Sequence, residues 1–206
     1  MNSSRPLRIG AVLFENFEIL DFFGPLEMFA LLKEDAVITV IAEKAGVVQS
    51  SGGPSAHADM AMAAAHSFDV LLIPGGIGTR KEMLNEPFMR ELVRLAETSA
   101  LVMTVCTGSY LLAKTGLLDG RKATTNKKVF RMVADAVPAV DWISHARWVE
   151  DGKYLTSSGI SAGIDLSLAV IGKRFSKERA LEIADHAEYE WHQDSSWDPF
   201  ADINGL

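Results

Sequence analysis

Cysteine is almost missing from this chain: Cys106 is the one such residue in 206. A lone thiol excludes an intrachain disulfide, a paired-cysteine zinc site and a two-thiol redox motif. Long apolar runs are missing as well. No apolar leader core follows Met1-Asn2-Ser3-Ser4-Arg5-Pro6, and no stretch is long enough to span a bilayer, so a cytoplasmic chain without a membrane partner is expected. Basic residues are in deficit, with 20 Lys and Arg against 27 Asp and Glu and a net charge of -7. That balance leaves no footprint for nucleic acid and points to small or neutral partners. The five histidines, His57, His66, His145, His186 and His192, are scattered. None adjoins Cys106 or falls at a metal-ligand spacing, although a Cys-His pair made through the fold stays open. Linkers, repeats and low-complexity blocks are also absent, and 1–206 reads as a single domain.

What is present is the alternation of short apolar runs with amphipathic segments of helix length. This predicts an α/β fold, a parallel sheet with helices on both faces. Strands are expected over residues 7–14, 37–42, 69–74 and 100–105, with a short one at 123–125 and a hairpin over 147–157 around Asp151-Gly152. The polar, glycine-containing stretch 47–59 reads as an irregular excursion or a hairpin. Helices are predicted from about 25 to 33, then over 86–98, 108–118, 127–137, 164–175 and 177–191. Residues 193–206 lack periodicity and are expected to lie across the surface or a neighbouring subunit.

In such a sheet ligands bind beyond the carboxyl ends of the strands, so the loops after strands carry the candidates. Val105-Cys106-Thr107-Gly108-Ser109 places a thiol at a strand-to-helix turn, the arrangement of a nucleophile elbow. A helix N-terminus favours thiolate over thiol; the competing reading is a buried structural cysteine. Gly75-Gly76 offers backbone N–H groups to a developing negative charge, or else simply turns the chain out of a buried strand. Asp21 stands among apolar neighbours in Ile19-Leu20-Asp21-Phe22-Phe23-Gly24-Pro25, a setting that raises a carboxyl pKa. Its competing role is a helix N-cap. Gly24-Pro25 makes the better helix start, which leaves Asp21 upstream and pointed at the sheet edge.

The run Ile73-Pro74-Gly75-Gly76, then Val105-Cys106-Thr107-Gly108, then Gly116-Leu117-Leu118-Asp119-Gly120-Arg121-Lys122-Ala123-Thr124-Thr125, resembles the ThiJ/PfpI superfamily. That resemblance implies a flavodoxin-like, class I glutamine-amidotransferase-like fold. Asp21-Phe22-Phe23-Gly24-Pro25, Cys106-Thr107 and Thr125-Asn126 look most like isonitrile (isocyanide) hydratases. What this implies is attack of Cys106 on an isonitrile carbon to give a thioimidate, proton handling by Asp21 and release of an N-substituted formamide by water. It also implies a homodimer. The peptidase branch has a histidine after the nucleophile where this chain has Thr107. Regulators of the AraC type append a DNA-binding domain, for which a chain ending at Leu206 leaves no room.

In the expected chemistry the thiolate and Asp21 titrate as a pair, with the proton shared or held by Asp21. Thr107 orients the thiolate or the water. Gly75 and Gly76 bind the charge that develops, and Phe22, Phe23 and Trp197 border an apolar pocket. No metal or organic cofactor is called for. Two other readings of the same thiol are a redox sensor or protein-protective module and a glyoxalase or deglycase acting on reactive carbonyls. His192-Gln193-Asp194-Ser195-Ser196-Trp197 replaces a proline-rich stretch of related chains and bears on the substrate.

Overall fold

The computed structural model describes residues 5–206. In chain order its elements are β1 (Leu7–Val12), α1 (Ile19–Ala30), β2 (Ala36–Ala42), β3 (Gly46–Gln49), β4 (Ser55–Ala58), β5 (Met60–Ala61) and β6 (Val70–Ile73). There follow α2 (Thr79–Glu82), α3 (Glu86–Thr98), β7 (Leu101–Thr104), α4 (Gly108–Ala113), β8 (Lys122–Ala123) and α5 (Phe130–Ala136). The chain closes with β9 (Asp141–Trp142), β10 (Trp148–Asp151), β11 (Tyr154–Ser157), α6 (Ala162–Arg174), α7 (Lys177–His186) and α8 (Pro199–Ile203).

The strands whose residues are buried throughout form the middle of the sheet, because only a strand covered on both faces tolerates an unbroken run such as Val70-Leu71-Leu72-Ile73. The sheet has seven strands in the order β10-β11-β7-β6-β1-β2-β5. Every neighbouring pair is parallel except β10 with β11. The chain leaves β1 toward β2 and returns to pair β6 on its other side, so the direction of winding reverses at β1. Open α/β sheets leave a crevice at such a reversal. Helices α1, α6 and α7 pack together as one group and α2 to α4 as another. The α/β expectation therefore holds, as do the hairpin at Asp151-Gly152 and the reading of 47–59 as a hairpin, β3 with β4.

Four local expectations need correction. Helix α1 begins at Ile19, and Pro25 lies inside it, not at its start. The missing N–H of Pro25 removes the bond that would close on the Asp21 carbonyl one turn earlier, and the surrounding apolar burial holds the helix regardless. Helix α4 stops at Ala113, where a run of turns replaces the expected helix to residue 118. Helix α7 stops at His186, five residues before the expected end, and Glu188 takes a φ of 49°. The tail does not merely lie across the surface: Ser195 O accepts from the backbone N–H groups of Arg147 and Trp148 at 2.8 and 3.3 Å, and Asp198 and Ala201 are buried. Among the described residues no helix is long and apolar enough to cross a membrane.

Candidate active site

The loops after β1, β6 and β7 meet at the crevice. Cys106 follows β7 with φ 56°. A left-handed backbone is costly for a residue with a Cβ and persists only where neighbours fix it. Here the Cys106 N–H donates to Ser158 O at 3.2 Å, and its carbonyl accepts from Ser109 Oγ at 2.9 Å and Thr125 Oγ1 at 3.1 Å. The result is the elbow: a side chain held at the strand tip, lining a cavity of about 180 Å3.

Asp21 occupies the first turn of α1 and is fully buried. Its Oδ2 accepts from the Gly75 N–H at 2.9 Å, while Oδ1 has no hydrogen-bond partner. Burial pushes this carboxyl up to about 8, against the lowering effect of the Gly75 N–H and the Cys106 thiol. Cys106 is pushed up too, first by burial and then by the neighbouring Asp21, and the Asn126 amide and the Thr107 N–H only partly oppose this. The expectation that the elbow alone favours thiolate is therefore corrected. Helix α4 has six residues, and its field together with two donors does not offset the loss of water around the sulfur. Thiol and carboxyl are adjacent, both favour their protonated forms, and repulsion keeps them from ionising together.

The glycine pair has a different duty from the one expected. The Gly75 N–H is taken by Asp21 and the Gly76 N–H donates to Thr107 Oγ1 at 3.0 Å, so neither is free for a developing anion. A Cβ on Gly75 would lie 2.6 Å from Thr107 N and 2.7 Å from Asp21 Oδ2, and Gly76 has φ 129°. Side chains are excluded here because the loop after β6 touches the backbone of the loop after β7 at Gly75 and of the loop after β1 at Gly76. Thr107 lines the cavity, with its hydroxyl engaged by Gly76 and its N–H directed at the sulfur. Phe22 is also corrected: it is buried between Phe17 and Phe23 and does not line the cavity. Nor does Trp197, which packs on His192 and is half exposed.

Asn126 is the residue that sequence reasoning left without a role. Its Nδ2 donates to Cys106 Sγ at 3.1 Å and its Oδ1 caps Lys128 N at 2.9 Å. The signal was the Thr125-Asn126 pair that followed the short β8 strand. Among the described residues no histidine lines the Cys106 cavity. Among the described residues no cluster of three or more His, Cys, Asp or Glu could hold a metal ion.

The model of the DJ-1/PfpI family matches residues 8–173. Isonitrile hydratase from Pseudomonas putida is 31% identical over 185 residues, which is 89% of this chain and 78% of that protein. A ThiJ/PfpI family protein from Pseudomonas syringae superposes with a TM-score of 0.83 at 25% identity, covering 90% of this chain and 76% of that one. DJ-1beta from Drosophila melanogaster shares the fold, with a TM-score of 0.80 at 20% identity over 90% of this chain and 100% of that one.

Proposed function

The chain belongs to the DJ-1/PfpI family, and from that premise we propose that it hydrates an isonitrile to an N-substituted formamide, with Cys106 as nucleophile and Asp21 as proton carrier. The observation that carries the reading is the pairing of an elbow thiol with a buried carboxyl held to about 8. A carboxyl that stays protonated near neutrality is a general acid, and an isonitrile needs one because attack on its carbon leaves that carbon basic.

The reactive form of the pair carries one proton, which moves from the sulfur to Asp21 as attack begins. The sulfur adds to the terminal carbon of R-N≡C and Asp21 gives its proton to that carbon, forming R-N=CH-S-Cys and an aspartate. The aspartate then takes a proton from water as the oxygen adds to the same carbon, and passes it to nitrogen. When the C–S bond breaks, the hydroxyl proton returns to Asp21 and R-NH-CHO leaves. One water is consumed per turnover and the pair is restored. Asn126 Nδ2 and the Thr107 N–H, both directed at the sulfur, stabilise its anionic form on attack and on departure. Gly75 fixes Asp21 through Oδ2 beside the thiol.

A cytoplasmic homodimer belongs to this proposal on family membership alone, and light scattering on the purified chain tests the dimer. The function itself is tested by following formamide production from an alkyl isonitrile with the wild type, Cys106→Ala and Asp21→Asn, together with the intact mass of a cold-trapped adduct. The expected adduct equals protein plus isonitrile on Cys106. Turnover by Cys106→Ala, or none by the wild type across alkyl and aryl isonitriles, overturns the reading.

A further inference from the structure

The cavity at Cys106, about 180 Å3, is smaller than the roughly 300 Å3 at which sites for whole drug-sized ligands begin. It takes the reactive head of a substrate, and the remainder lies outside. One continuation shares Arg80, Lys128, Val129 and Met132 with that cavity and opens into a hollow of about 330 Å3. Lys127 and Arg131 also line the hollow, and no side-chain carboxylate does. Four cations thus gather along one groove of a chain whose net charge is -7.

The four are not equivalent. Lys127 donates to Thr124 Oγ1 and the Ala146 carbonyl, and Arg131 to the Gly205 carbonyl. Among the described residues Arg80 and Lys128 make no ion pair. These two free cations are also the ones that border both cavities. At the sulfur end Glu18 lines the inner cavity beside the same two cations. An anionic group is attracted to the wall where the cations gather.

We infer that the substrate is a small electrophile bearing a carboxylate, and that Arg80 and Lys128 select for that group. The inference rests on the reading of Cys106 as nucleophile and names the substrate class for it.

The test separates the two readings. Cys106 is alkylated with iodoacetate and, separately, with uncharged iodoacetamide. Each reagent forms an S–C bond and releases iodide, and each rate is read by intact mass. The iodoacetate-to-iodoacetamide rate ratio is expected to drop about five- to tenfold in the Arg80→Gln/Lys128→Gln double variant at low salt, and the gap to close at high salt. The charge-preserving Arg80→Lys/Lys128→Arg variant restores the ratio, which a mere change of packing would not do. Equal ratios in wild type and double variant overturn the inference, as does failure of either reagent to label Cys106. In a second arm isocyanoacetate is compared with ethyl isonitrile, and kcat/KM is expected to favour the former by a similar factor in the wild type only. If no isonitrile turns over while the alkylation ratio behaves as stated, the hydratase reading falls and anion selection stands.

Discussion

Two buried carboxylates on the same scaffold have opposite fates. Asp165, in the first turn of α6, accepts from Arg147 Nε and Nη2 at 2.9 and 2.7 Å on Oδ2, and from Tyr189 OH and the His192 N–H, both at 3.0 Å, on Oδ1. Asp21, in the first turn of α1, receives one backbone N–H and leaves an oxygen bare. Both are fully buried, so burial does not distinguish them. Satisfaction does. A buried charge with a complete set of donors and a counter-ion is a fixed part of the framework, and Asp165 uses that stability to tie the segment after α7 onto the core. A buried carboxyl with half its donors is held away from its ionised form and is ready to exchange a proton.

The comparison breaks most visibly at activity. Asp21→Asn keeps the acceptor for Gly75 and removes the exchangeable proton, and kcat/KM for an isonitrile is expected to fall about 10²- to 10⁴-fold; an unchanged value removes Asp21 from the chemistry. At the satisfied site the effect moves to stability. Arg147→Met leaves Asp165 and the nearby Asp198, 3.7 Å from Arg147 Nη1, as uncompensated buried charges. A loss of about 3–5 kcal/mol is expected in urea unfolding, and a variant as stable as the wild type would show that this network carries no weight.

The third contrast is in the sign of the pH dependence. In the folded chain Asp21 keeps its proton up to about 8, whereas a free aspartate gives it up near 3.8. Between those values the folded state binds the extra proton, so this group's contribution is fully present below about 4 and is lost as pH rises through about 8. Asp21→Asn removes that slope and is expected to gain on the order of 5 kcal/mol over the wild type by pH 8. Thermal melts of both chains from pH 4 to 8 check this, and parallel curves would contradict it. Wild-type activity should climb toward the same pH as the pair loses its first proton.

The smallest expected effect is at Asn126. Removing one donor to the sulfur in Asn126→Ala should slow single-turnover adduct formation by about tenfold, less than the loss of an oxyanion-hole donor because the Thr107 N–H remains. No change in rate would make its 3.1 Å contact with Sγ merely structural.

Much of this was legible in the chain. Val70-Leu71-Leu72-Ile73 reads as a buried strand because an apolar run of that length has no other economical place. Val105-Cys106-Thr107-Gly108 reads as an elbow because small residues allow the turn, and Asp21 draws notice because apolar residues surround it. The start of α1 was misplaced because Pro25 is a good first-turn residue, and only the packing of α1 showed that the helix had already begun at Ile19.

Local order, then, was decided by the sequence itself: which segments are strands and helices, where a lone thiol meets a turn, and which carboxyl lies among apolar residues. These follow from periodicity and turn chemistry within a few residues of each other. Tertiary structure alone decided who donates to whom. Gly75 reaches Asp21 across 54 residues and Asn126 reaches Cys106 across 20, and those contacts, with the removal of water that folding brings, set which group holds the proton. Ionisation depends on distance and dielectric, and neither exists until the chain has closed on itself.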